Sequence, residues 1–128
     1  MSRQIINTAD APAAIGTYSQ AVNVGNLVFI SGQIPLDPAS MEVVDGQFKV
    51  QAIRVFENLK AVAVASGGSL ADAVKLTVYL SDLSNFPLLN EVMGDYMSEP
   101  YPARAAVEVS ALPKGVMVEI DAILVLND

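Results

Sequence analysis

The chain contains no cysteine and no histidine among its 128 residues. The first absence excludes disulfides, zinc–thiolate sites and thiol catalysis. The second removes the commonest general base and the commonest transition-metal ligand. Basic residues are also few, with seven Lys and Arg against fourteen Asp and Glu, giving a net charge of −7. They stand singly along the chain. No basic stripe exists to replace the counterions of a phosphate backbone, so nucleic acid is not expected as a partner. Long hydrophobic runs are missing too. None approaches the ~18 residues a membrane span needs, and no signal-peptide h-region opens the chain. The expectation is a cytoplasmic protein with no membrane partner.

What is present is apolar. Hydrophobic residues make up 52% and charged residues 16% of the chain, whereas an average soluble domain is roughly 25% charged. Spare apolar surface of this kind is most simply placed at a subunit interface. The length fits one domain over residues 1–128, and a soluble oligomer is expected.

The patterning predicts the elements. Leu27-Val28-Phe29-Ile30 reads as a buried strand closed by Ser31-Gly32-Gln33, with a hairpin turn at Gly25-Asn26 and a preceding strand over 19–24. A helix is predicted from about Lys49 to Ser66, with Ala52, Phe56, Leu59 and Ala63 on one face and Gly67-Gly68 as its cap. Ser69 to Asp72 has the form of a capping box. Strands follow over 74–80, 103–109 and 116–126, and a second helix with the face Phe86, Leu89, Met93 and Tyr96 is capped by Asp82 or Ser84. With a short strand near Ile5-Ile6, the order β-β-α-β-α-β-β describes an α+β fold: a mixed sheet with two helices packed on one face.

Without His or Cys, chemistry falls to carboxylates, hydroxyls and Arg or Lys. Two charges are out of place. Arg104 interrupts the apolar run Pro102 to Val107, and Glu119 interrupts Val116 to Leu126. A guanidinium in an apolar strand is a candidate anchor for an anionic substrate. It is equally a candidate for an internal ion pair with Glu119 or Glu108, and the residues alone favour that second reading. Glu119 is either a holder of water as general acid/base or a solvent-facing residue of an alternating strand, and here too the residues alone favour the second. Tyr18, beside Gly16, is a site phenol or an interface tyrosine. Ser31-Gly32 offers a hydroxyl and backbone groups at a strand end, with no base nearby to make the serine a nucleophile. Asn90 stands between apolar positions of the second helix. Met93, Met97 and Phe86 are read as core.

Gly16-Thr17-Tyr18-Ser19-Gln20-Ala21, Ser31-Gly32-Gln33-Ile34-Pro35, Asn58 to Val62 with Ser66 to Leu70, Pro102-Ala103-Arg104 with Val107 to Val109, Leu112-Pro113-Lys114 and Val118-Glu119-Ile120 occur in one order across nearly the whole chain. Together they resemble the YjgF/RidA family. The resemblance implies a chorismate-mutase-like fold, a homotrimer with clefts between subunits, and no cofactor or metal. The implied activity is 2-iminobutanoate/2-iminopropanoate deaminase: hydrolysis of reactive enamines and imines, such as 2-aminoacrylate, to 2-oxo acids and ammonia. Matched residue by residue, Arg104 binds the substrate carboxylate and Glu119 positions water, while Tyr18, Ser31, Gly32 and Asn90 line the same cleft.

Two positions depart from the family pattern. Thr17 replaces a frequent proline, and Ala105 and Ala106 replace a hydroxyl residue and, in some members, a cysteine. Competing readings are a non-catalytic trimer that binds 2-oxo acids and acts through partners, a ribonuclease or translation inhibitor of the endoribonuclease L-PSP kind, and a purely structural trimer.

Overall fold

The last strand shows how the sheet is built. Along Val118–Val125, every second residue (Val118, Ile120, Ala122 and Leu124) is buried, while the alternate set, beginning with Glu119 and Asp121, is half-buried. Period-two alternation of this kind marks a sheet covered on one face only. The computed structural model describes residues 2–127, with six strands: β1 (Arg3–Ile6), β2 (Ala21–Val24), β3 (Leu27–Gln33), β4 (Ala73–Leu80), β5 (Ala103–Glu108) and β6 (Val118–Val125). They form one mixed sheet in the order β1-β2-β3-β6-β4-β5. The β4–β5 pair is parallel and the other neighbours are antiparallel.

Two helices, α1 (Phe48–Ala65) and α2 (Phe86–Tyr96), close the apolar face. Helix α1 buries Ala52, Val55, Phe56, Leu59, Val62 and Ala63, an i, i+3, i+4 stripe laid on β3 and β6. It ends where the sequence places its cap. Gly67 takes φ 96°, its N–H donates to Val64 O, and Gly68 N–H donates to Ala63 O, both at 3.0 Å. This is the Schellman pattern, which the glycine permits without a Cβ penalty. Helix α2 connects the parallel strands β4 and β5, a pairing that requires a crossover. Asp82 caps the short turn before it (Leu83–Asn85), its carboxylate accepting from Ser84 N–H at 2.9 Å. α2 itself has Asn85 at its N-cap with no side-chain cap, so neither Asp82 nor Ser84 caps the helix. The helices meet through the stacked rings of Phe56 and Tyr96, 5.3 Å apart. The Tyr96 phenol donates to Glu57 at 2.5 Å. Burial and that carboxylate push its pKa up to about 12.

The predicted elements are all present, with shifted ends. β3 runs on to Gln33 instead of stopping at Ile30, because Ser31 and Gly32 form a bulge within it and not a terminus. The preceding strand begins at Ala21, not residue 19, and β6 begins at Val118, since Val116 closes the turn before it. Phe86 is only partly buried, whereas Met93 and Met97 are core as expected.

Three buried amides do work that apolar periodicity does not reveal. Asn58, fully buried on α1, donates to the carbonyls of Ile34 (3.3 Å) and Leu36 (3.0 Å) and accepts from Arg54 Nε (3.0 Å). Gln51 accepts from Met117 N–H at 2.8 Å. Gln20 is treated with the site below. An unpaired buried carbonyl costs about 1–3 kcal/mol. Asn58→Leu keeps the branched shape but takes the side-chain donor from Leu36 O, while Ile34 O still accepts from Leu36 N–H at 2.7 Å. Urea unfolding is therefore expected to show a loss of about 1–3 kcal/mol. A loss below about 0.5 kcal/mol, within the noise of surface substitutions, would mean that the 34–36 loop is not held by this side chain.

Candidate active site

The sheet has a second consequence: the two conspicuous charges lie on opposite faces of it. In register, Arg104 of β5 sits opposite Leu76 of β4, on the helix side, and Glu119 of β6 sits opposite Tyr79, on the open side. They belong to different clefts and do not meet within one chain. The internal pairing of Arg104 with Glu119 or Glu108 does not form. Glu108 accepts instead from Leu83 N–H at 2.8 Å, and the ion pair found among the described residues is Lys49–Glu91, an exposed contact between the helices.

The first cleft, about 520 Å³, is lined by Tyr18, Ser31, Gly32 and Glu119, with Ile15, Ile34 and Leu36 giving it apolar walls. Its shape comes from the β3 bulge. Ile30 pairs with Ala122 and Gln33 with Ile120, so Ser31 and Gly32 together face the single residue Asp121. Such a bulge bends the strand and re-aims its side chains. Ser31 Oγ donates to Ser19 O at 2.5 Å, fixing the strand to the loop that carries Tyr18. The Tyr18 ring lies in that loop, ahead of β2 and not at its start, half exposed, with its phenol oxygen 3.4 Å from Ile15 N. The loop is braced from within by Gln20, 2% exposed, whose amide donates to Thr8 O (3.0 Å) and Pro12 O (2.8 Å) and accepts from Thr8 N–H (2.7 Å).

Glu119 lies across Gly32. A Cβ built on Gly32 would run into Glu119 Oε2 and come within 3.0 Å of Cδ. Glycine therefore leaves room for the Glu119 carboxylate in this position, and a larger residue would push that flexible side chain aside. Partial burial, followed by the charge of Asp121, raises the Glu119 carboxyl above the ordinary carboxylate range. On the cleft's rim Lys114 is held at φ 57° in a turn that continues into Gly115 at φ 67°. A left-handed lysine is locally unfavourable, and such residues concentrate at functional sites.

The second cleft, about 450 Å³, is lined by Asn90, Met93, Gly94, Tyr101, Pro102 and Arg104. Arg104 is exposed, on an edge strand, but its direction is fixed. Its guanidinium lies 4.9 Å from the Phe86 ring centroid and donates to Asn90 Oδ1 at 2.7 Å and to Met93 Sδ at 3.6 Å. Cation–π and amide contacts hold the group while leaving most of its five donors free. Asn90 thus joins Arg104, whereas Tyr18, Ser31 and Gly32 join Glu119. Gln20, Lys114 and Tyr79 were not singled out from sequence. Gln20 and Lys114 both stand within the motifs that carry the family resemblance, the signal available for them, and Tyr79 gave none. Among the described residues, no group of three or more acidic, His or Cys side chains is placed to hold a metal ion, and no helix is long and apolar enough to cross a membrane.

The α+β chain thus carries two clefts of a few hundred Å³, one holding a carboxylate and one an arginine, a size and lining found in small-ligand sites. The chain belongs to the YjgF/RidA family: the family model described as Endoribonuclease L-PSP matches residues 8–126. It is 62% identical to RidA from the Antarctic bacterium Psychrobacter sp. PAMC 21119, whose crystal structure superposes with a TM-score of 0.93, covering 96% of this chain and 99% of that one. A RutC family protein of Pyrococcus abyssi is 53% identical, covering 96% of this chain and 97% of the relative. The 2-iminobutanoate/2-iminopropanoate deaminase of Bos taurus is 47% identical, covering 96% and 90%.

The Gly32–Glu119 approach is testable by a double-mutant cycle. Gly32→Ala is expected to lower stability in urea by no more than about 1 kcal/mol, because the atoms in the way belong to a side chain that can move into the cleft. Glu119→Ala removes the obstruction, so the double variant should recover most of the loss. Additive losses would show that Gly32 serves the backbone and not the carboxylate.

Proposed function

We propose that this protein is a cofactor-independent deaminase of reactive enamines and imines, working as a homotrimer whose active clefts form between subunits. The observation that carries the reading is the placement of the two charges. Arg104 and Glu119 each lie in a cleft of their own on opposite faces, neither neutralised by the other. A second copy laid against the open sheet face would bring the arginine half of one chain to the glutamate half of the next.

In such a cleft the Arg104 guanidinium, steadied by Phe86 and Asn90, takes the substrate carboxylate in a two-point grip. The imine carbon then lies towards Glu119. That carboxylate accepts a proton from water as the water oxygen bonds to the carbon and passes it to the nitrogen, giving a carbinolamine. It then carries the hydroxyl proton to the amine as the C=O bond forms and the C–N bond breaks, so that ammonia leaves and a 2-oxo acid remains. Assistance of this type is worth about 10²–10⁴-fold. The apolar walls Ile15, Ile34 and Leu36 suit a short aliphatic side chain such as those of 2-iminopropanoate and 2-iminobutanoate, the substrates named for the bovine relative. The ribonuclease reading carried by the family model's description is opposed by a net charge of −7.

The test generates 2-aminoacrylate in situ with a serine dehydratase and follows its decay spectroscopically. Wild type should accelerate decay, and Arg104→Ala and Glu119→Ala should each abolish the effect while remaining assembled. Mixed trimers reassembled from equal amounts of the two inactive variants should regain about a quarter of wild-type activity, because one shared cleft in four then receives both intact residues. No recovery would sink the shared cleft, and no turnover by wild type would sink the deaminase.

A further inference from the structure

Glu119 is not the only carboxylate on the open face of β6. Asp121 follows two residues on, so the strand directs both side chains to the same side, and both are half-buried. Asp121 is held. The phenol of Tyr79, directly across β4 from Glu119, donates diagonally to Asp121 Oδ2 at 3.2 Å. The bulge places Ser31 and Gly32 opposite Asp121, so no bulky side chain on that side separates the two acids. Burial, the charge and hydrogen bond of Asp121, and the charge of Glu119 all hold the Tyr79 phenol above its ordinary value, which keeps it protonated and donating. Glu119 itself receives no hydrogen bond from the side chains and backbone around it among the described residues.

The chemistry gives such a pair a purpose. An enamine must gain a proton at its terminal carbon before its nitrogen-bearing carbon becomes electrophilic. A carboxyl group that makes this transfer forms the new C–H bond from the C=C pair, leaves a C=N bond behind, and is then the carboxylate that takes a proton from attacking water. One group performs both steps only if it is neither wholly ionised nor wholly protonated at the working pH. A second carboxylate held close by is the usual way to achieve that.

We propose that Asp121, anchored by Tyr79, is a positioning residue that keeps Glu119 exchanging between its acid and base forms. The proposal rests on the reading of Glu119 as the acid/base of the cleft. Among the described residues of the same chain, the other charged or titratable groups around Glu119 are Tyr79 on β4, Lys114 on the 113–115 turn and Tyr18 on the N-terminal loop, with Lys75 on the same face further along β4. In the shared cleft of the proposed function the partner subunit's Arg104 faces it as well. β3 presents only Ser31 and Gly32 there. All but the residue exchanged stay the same in the variants below, so differences isolate the Asp121 contribution.

The intact protein is labelled with ¹³C at the glutamate side-chain carboxyl, the Glu119 resonance is assigned with Glu119→Gln, and it is titrated by NMR. Asp121→Asn should lower the Glu119 midpoint by roughly half a unit or more. Tyr79→Phe, which leaves both carboxylates in place but frees Asp121 to turn to solvent, should lower it by a smaller amount. The acid limb of kcat/KM for 2-aminoacrylate should move with the midpoint and in the same direction. An unchanged midpoint in Tyr79→Phe and in folded Asp121→Asn overturns the proposal. Because the midpoint is read without turnover, absence of deaminase activity would strike the functional reading alone.

Discussion

The register of β6 is the constraint on which the rest depends. With Val118, Ile120, Ala122 and Leu124 turned to the helices, Glu119 and Asp121 must both face the open side. A slip of one residue against β3 or β4 would drive two carboxylates into a closed apolar core, where an ionised group without a partner is prohibitively costly. The same four apolar side chains that hold the helices therefore also hold the acids out of the core. Stability and site geometry come from one alternating pattern, read on its two faces.

That pattern alone would leave the acids on a flat surface. The bulge turns the surface into a cleft. By setting Ser31 and Gly32 against Asp121, it removes a side chain where Glu119 lies, and it hands a hydroxyl to the loop of Tyr18. The loop could not keep its position on hydroxyl contacts alone. Gln20, buried to 2% exposure and bonded on both sides of its amide, supplies the interior brace. Buried amides that satisfy all their partners fix one arrangement among many, because each alternative leaves a donor or acceptor unpaired. Asn58 does the same for the 34–36 segment on the other wall.

Much of this was legible in the sequence. The strands and helices follow from periodicity, the α1 terminus from Gly67-Gly68, and the outlying charges Arg104 and Glu119 from apolar runs they interrupt. What periodicity could not show was long-range in origin. Continuation of β3 through Ser31-Gly32 depends on pairing with β6, ninety residues on, and a Ser-Gly pair read locally is a strand end. The residues alone favoured an ion pair for Arg104, because an arginine in an apolar run suggests burial. Only the sheet order, which puts β5 at an edge and Glu119 two strands away on the other face, removes that option. Tyr79 reads as one more alternating strand residue, and its contact with Asp121 spans 42 positions.

Separation of the two charges has a physical logic of its own. Opposite charges at contact in a partly desolvated cleft attract strongly, and an arginine within reach of Glu119 in the same chain would close onto it. The carboxylate would then be held ionised and the guanidinium donors would be occupied. Holding Arg104 over Phe86 and against Asn90 avoids this, since neither partner carries a negative charge that would neutralise the guanidinium. Phe86 is accordingly only partly buried: a ring sunk fully into the core would offer no face to the cation. On the other face, the neighbour of Glu119 is a like charge and not an opposite one, which favours proton exchange over permanent ionisation. Within one chain the fold thus keeps a strong cation and a responsive acid apart, each in a cleft of its own.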